Sequence, residues 1–162
     1  MKRFVLSTLL LGLAVVFSCK SVSSSSKKDG VAMSKIEDVA YEVLSGDFDS
    51  AFAQQTKQVY VARSLTEVIA VSEGDESVIS LCEKVDFNKE AVIFAFGGRF
   101  NTGGYSVIVK SVKREKGGKV QVIFAISSPD SNEIVTQAIT SPSLIVAIGA
   151  KKGEVVEASF EN

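Results

Sequence analysis

The chain has no histidine. This one absence excludes Ser-His-Asp triads, Cys-His dyads and histidine-based metal centres, and with them the commonest hydrolase chemistries. A Ser-Lys dyad would need Ser-x-x-Lys at the start of a helix. That spacing occurs only at Ser24–Lys27 and Ser25–Lys28, inside a serine run that cannot form a core. Cysteine is scarce too, Cys19 and Cys82 being the two. No stripe of basic residues is present, and acids and bases are interspersed, so nucleic acid is not an expected partner. There is no internal repeat, and no apolar run reaches the roughly 20 residues that a membrane-spanning helix needs. The expectation is a protein that is not an enzyme and takes neither a cofactor nor a metal.

What is present begins with a leader. Lys2 and Arg3 precede an uncharged, mainly apolar run from Phe4 to Phe17, followed by Ser18, Cys19 and Lys20, the layout of a secretory signal over residues 1–18. The segment Val16-Phe17-Ser18-Cys19 is similar to a bacterial lipobox, in which cleavage precedes an acylated cysteine. It departs from that pattern at Phe17, where a small or aliphatic residue is usual. Ordinary signal cleavage and a relaxed lipobox therefore both stand, and lipidation of Cys19, with palmitate among its acyl chains, is the favoured expectation. Several acyl chains would anchor the protein stably, whereas one would hold it only marginally. The expected location is the outer membrane or cell surface. Lys20 is not the aspartate that retains lipoproteins at the inner membrane of some bacteria.

Residues 19–33 then read as a tether. Five serines and the pair Lys27-Lys28 leave nothing with which to build a core, and the residues from Lys20 to Met33 would span roughly 20 Å as a flexible chain. Residues 34–162 are enough for one hydrophobic core and read as a single folded domain. Loss of residues 1–18 takes away Lys2 and Arg3 but no acid, so 18 basic and 19 acidic residues become 16 and 19, a net charge of −3. With Cys19 lipidated, Cys82 has no intramolecular partner. Val78, Leu81, Cys82 and Val85 fall at helical spacing, so Cys82 reads as a small buried hydrophobe.

The spacing predicts an α+β domain, mainly antiparallel β-sheet with one or two short helices packed on it. Val39–Leu44 and Gln58–Ala62 read as strands on either side of the turn-like Gly46-Asp47-Phe48-Asp49, whose two carboxylates suit a turn better than a metal. Ser64-Leu65-Thr66-Glu67 has capping-box form and opens a helix over 65–73, with Leu65, Val68, Ile69 and Ser72 on one face and Gly74 as its stop. A second helical stretch runs from Ser77 to Lys84. Ala91–Phe96 is continuously apolar and suits a central strand buried on both faces. Tyr105–Arg114 and Lys119–Ser127 flank Gly117-Gly118 as a hairpin, with Val120, Val122, Phe124 and Ile126 on its packed face. Leu144–Ala150 and Val155–Phe160 read as a last hairpin around Lys151-Lys152-Gly153, with Val156, Ala158 and Phe160 inward.

The most distinctive local feature is the run Gly97-Gly98-Arg99-Phe100-Asn101-Thr102-Gly103-Gly104-Tyr105, two glycine pairs around a polar loop that feeds into a strand. Gly98 and Gly103 have the G-x-x-x-x-G spacing of a phosphate loop, but Lys and Ser or Thr do not follow, and the next element is a strand and not a helix. A tightly held β-connection is the reading that remains. Phe100 and Tyr105 either plug the end of the sheet or, with Arg99, form an interface, since these residue types often anchor interfaces.

Several of these residues together resemble a known family. Asp86-Phe87, the apolar strand ending at Gly97, Thr102-Gly103-Gly104-Tyr105, Pro129, and Thr140-Ser141-Pro142 before Leu144-Ile145-Val146 look like the PrcB C-terminal domain over residues 57–149. The lipid signal and the single copy of this domain add to the likeness: the whole chain is similar to the small lipoprotein subunit of a spirochaete surface protease complex. The resemblance implies a non-catalytic, lipid-anchored subunit that associates with a subtilisin-like serine protease and its partner chain and aids their assembly or stability. Arg99-Phe100-Asn101 departs from the family pattern, where a proline-containing stretch is more usual. A surface or periplasmic module that binds a peptide or glycan is the alternative.

Overall fold

The computed structural model describes residues 36–46 and 56–161. The expected leader, Cys19, the tether and Asp47-Phe48-Asp49 lie outside the described residues. The elements in chain order are β1 (Glu37–Asp38), β2 (Tyr41–Gly46), β3 (Gln58–Ala62), α1 (Leu65–Val71), α2 (Glu76–Cys82), β4 (Glu90–Phe96), β5 (Ser106–Arg114), β6 (Val120–Ser127), β7 (Ser143–Gly149) and β8 (Val156–Phe160). The domain is α+β, but its strands form two four-stranded sheets where one was expected, ordered β1-β5-β6-β8 and β2-β7-β4-β3.

The alternation within β4 explains the layering. Ala91, Ile93 and Ala95, with Leu144, Val146 and Ile148 of the neighbouring β7, face the other sheet, where they meet Val107 and Val112 of β5 and Val120, Val122 and Phe124 of β6. Val92, Phe94 and Phe96 face the opposite way and pack with Val68 of α1 and with Val78 and Cys82 of α2. The run Ala91–Phe96 of β4 is thus apolar throughout because it is covered on both faces, by a sheet and by a helical layer. The strand expected over Val39–Leu44 runs from Tyr41 to Gly46 as β2, and Val39 and Ala40 form the bend between it and β1. Val39 donates its N–H to the Val112 carbonyl of one sheet at 2.9 Å, while the Ala40 carbonyl accepts from Gly149 of the other at 3.1 Å. The chain changes sheets at this bend, a device that closes one side of a sandwich.

One pairing, the hairpin expected of β7 and β8, differs from the sequence reading, and the neighbours of β7 are the reason. β2 and β3 are neighbours in sequence, yet they lie at opposite edges of their sheet with β7 and β4 between them. β7 and β8 do not form a hairpin, because both edges of β7 are already taken by β2 and β4. β8 pairs instead with β6, in parallel, from Val120↔Val156 to Phe124↔Phe160. The turn that redirects it is held by side chains from distant elements. Arg63 donates to the carbonyls of Ala150 (3.1 Å) and Glu154, and Arg114 donates to the Gly149 carbonyl (3.0 Å) and the Glu154 carboxylate (3.2 Å). Burial alone would raise the Glu154 pKa. The Lys151 N–H and the Arg114 guanidinium together outweigh it and hold the carboxyl below its ordinary range.

The helices are shorter than expected. Ser64 caps α1 by accepting from the Glu67 N–H at 3.2 Å, but the Glu67 carboxylate reaches past the cap to the Arg63 N–H at 2.7 Å. α1 ends at Val71, with Glu73 and Gly74 at positive φ. Val68 and Ser72 are buried, whereas Ile69, expected on the same face, is exposed. α2 starts on an Asp75 cap whose carboxylate accepts from the N–H groups of Ser77 and Val78. Its Val78 and Cys82 are buried, while Leu81 is turned outward. Burial pushes the Cys82 thiol up to about 11. The β5–β6 connection has Gly117 and Gly118 at positive φ as expected, although Glu115 and Lys119 also pair within the turn.

Candidate functional site

The sandwich has two poles. β2, β4 and β6 end at one of them and β3, β5 and β7 begin there, so three connections meet at it: the β2–β3 connection, most of which lies outside the described residues, and the two described in full, the glycine loop 97–105, taken first, and the segment 128–142, the second. The second is long for a connection without an element of its own, a length that is usually functional or disordered. Here it is ordered by the first.

The contacts between the two loops use most of the residues that stood out in the sequence. Gly97 donates its N–H to the Pro142 carbonyl at 2.8 Å, and Phe100 and Thr140 exchange N–H to carbonyl bonds at 2.8 and 3.0 Å, forming an isolated bridge. Gly103 donates to the Thr136 carbonyl at 2.9 Å. The Thr140 hydroxyl donates to the Thr102 carbonyl at 2.7 Å. Gly97, Gly98, Gly103 and Pro142 are buried, and Ser141 is partly covered. Three backbone N–H groups of the glycine loop are therefore spent on carbonyls of the other segment, which is the reverse of a phosphate cradle, where they would face a ligand.

Two of the glycines are required by close approach. Gly104 has a φ of +85°, and a Cβ placed there would lie 2.8 Å from the Cβ of Pro129 and 2.9 Å from a methyl of Val135. A Cβ on Gly97 would lie 2.9 Å from a methyl of Ile126 and 3.1 Å from the Pro142 ring. Phe100 and Tyr105 stack on each other with ring centroids 4.0 Å apart and planes 16° from parallel, both half-buried. Arg99 and Asn101 are exposed on the outer side of the loop.

Asp86 and Phe87 are not part of this pole. They precede β4 at its other end, where the Asp86 carboxylate accepts from the Asn88 N–H at 3.1 Å and pairs with Lys89 at 2.8 Å. Those two contacts, Lys89 first, hold its pKa below the ordinary value. Phe87 packs against the helix-side core. Both residues shape the entry into β4.

Sequence reasoning missed Ile134 and Ile139. They belong to the pinned segment, yet Ile134 is 99% exposed and Ile139 is 58% exposed. The signal was available, since no charged residue lies between Ile134 and Pro142. A groove elsewhere, between β2 and α2, is lined by Val43, Leu44, Leu81 and Val85 together with Glu42 and Lys84. Among the described residues, no three His, Cys, Asp or Glu side chains come together as a metal site. The pole can offer shape, apolar surface and a guanidinium, and holds no nucleophile paired with a base.

Residues 91–149 match the family model described as PrcB C-terminal. The match runs from the first core residue of β4 through the last residue of β7 and encloses both loops of the pole. It begins after Asp86 and Phe87, and takes in just over a third of the chain. No curated protein and no solved structure matches the chain.

Proposed function

We propose that this chain, which carries a PrcB C-terminal domain over residues 91–149, is a non-catalytic, lipid-anchored accessory subunit of a cell-surface complex built around a subtilisin-like serine protease. It works by binding the protease or its associated subunit and favouring their assembly or stability. The family match is the observation that carries this reading. Its span supports the choice of surface, because the matched segment contributes the two buried central strands of one sheet, the hairpin of the other, and the two loops they hold together. The strands account for packing, and the loops are what such a segment offers to a partner.

The chemistry points the same way. A chain with no histidine has few routes to hydrolysis, and the loop that most resembles a ligand cradle spends its N–H groups internally. Anchoring through acylated Cys19 would place the domain at the outer membrane or cell surface, on a short tether. The test is affinity purification of the full chain from its native membrane after chemical crosslinking, followed by mass spectrometry. Recovery of a serine protease chain is expected, together with acylation of Cys19. Purification that returns no protease chain would sink the accessory reading, and an unmodified Cys19 would remove the anchor.

A further inference from the structure

We propose that β8 is a releasable strand, which opens from β6 as one piece on the turn 150–155 while the other strands stay folded, and whose hold is set by a latch of Arg63 and Arg114. Burial is the first observation. None of the five residues Val156–Phe160 is buried, whereas Val120, Val122 and Phe124 of β6, against which they pair, are buried completely. Pairing is the second. Four strands stand at sheet edges, and β8 is the one among them in parallel pairing, which is slightly less stable per residue than antiparallel pairing. β3 lies alongside it in the other sheet, but no ladder joins the two.

The side-chain contacts that keep β8 in place are concentrated at its two ends. Before its first residue, Arg63 and Arg114 grip the turn through the carbonyls of Gly149, Ala150 and Glu154 and through the Glu154 carboxylate. Val120 donates its N–H to the Val155 carbonyl at 2.8 Å. At the far end Phe160 lies against Phe124 with ring centroids 6.0 Å apart, the Lys57 ammonium stands 5.6 Å over the Phe160 ring, and Glu161 donates to the Phe124 carbonyl at 2.8 Å. Between these ends the side chains alternate between half-buried and exposed. Such a strand leaves as a unit, because losing one anchorage frees the register on which the other depends. The latch stays behind, since Arg63 follows β3 and Arg114 ends β5. Gly153 supplies the pivot, at a φ of +91° with open space where a side chain would stand. Opening uncovers Val122, Phe124 and the backbone groups of the β6 edge, and an unpaired edge is a template for strands of other chains. β8 is thus a cover, and the two arginines are positioning residues that set how often it lifts.

The test is native-state hydrogen exchange on the full-length chain, read residue by residue by NMR at rising low urea. The Val120 and Glu161 amides, at opposite ends of the pairing, are expected to exchange through one common opening, about tenfold or more as populated as the opening that exposes amides of β4 and β7 and with a smaller dependence on urea. Arg63→Gln is expected to raise that common opening about tenfold, the usual weight of hydrogen bonds from a charged donor. A disulfide between Gln121→Cys and Glu157→Cys, which face each other across β6 and β8, leaves the latch intact and is expected to slow both amides to the rate of the core. Exchange of both amides only with the core would overturn the proposal. Rapid exchange at Glu161 with Val120 following the core would reduce it to fraying and also overturn it, as would a disulfide that leaves both rates unchanged. An Arg63→Gln effect confined to β4 and β7 would remove the arginine from the latch.

Discussion

Replacing Gly104 by alanine isolates how firmly the two loops hold each other. Gly104 sits at φ +85°, a region that costs an L-residue about 1–2 kcal/mol. The new Cβ would also fall 2.8 Å from Pro129 and 2.9 Å from Val135, closer than carbon atoms pack, and forced overpacking of this kind costs about 1–3 kcal/mol. Gly153 provides the control within the same molecule. Its φ is +91°, yet a Cβ there meets nothing within 4 Å, so Gly153→Ala carries the backbone cost alone. Gly104→Ala should therefore destabilise by about 2–5 kcal/mol and Gly153→Ala by about 1–2 kcal/mol. In urea, with a slope of about 2 kcal/mol per molar, the midpoint should fall by about 1–2.5 M for the first and by about 0.5–1 M for the second. Circular dichroism followed through the transition reads both. Equal shifts for the two variants would mean that Gly104 is not pressed against Pro129 and Val135, and the pinned pole would have to be abandoned.

Other outcomes follow from the same packing. Cys82, buried with a thiol pushed up to about 11, should resist alkylation at pH 8 in the folded protein and react fully in denaturant, as read by mass; Cys82→Ser should cost about 1–3 kcal/mol through an unpartnered hydroxyl. Glu154 has its folded pKa below the ordinary value of 4.5, so it contributes stability above pH 4.5 that is lost as pH falls through the lower folded value. Glu154→Gln should accordingly flatten the decline in urea midpoint on acidification. Arg114→Ala removes two hydrogen bonds made by a charged donor and should destabilise by about 1–3 kcal/mol in the same assay.

Local structure was more legible in the sequence than its assembly. The continuous apolarity of Ala91–Phe96 announced a strand covered on both faces, and Ser64 with Glu67 announced the start of α1, because these signals lie within a few residues of each other. The parallel pairing of β8 was not visible. It depends on β2 occupying an edge of β7 and on Arg63 and Arg114 reaching the Lys151–Glu154 turn from far away in sequence, and no local pattern records such competition for an edge. The same division runs through the candidate site. Glycine pairs mark positions where another chain segment comes close, but they do not name it; Thr140-Ser141-Pro142 stood out separately, and only the fold joins it to Gly97 and Phe100. Ile134 and Ile139 drew no reading from the sequence, since exposure is decided by the loop that holds them and not by the residues themselves.

The central claim, that this chain supports a protease by association, is tested most directly by the amount of assembled serine protease at the surface of cells lacking this protein. The level should fall severalfold and recover with the wild-type chain. A full complement of assembled, active protease in cells without this chain would contradict the account.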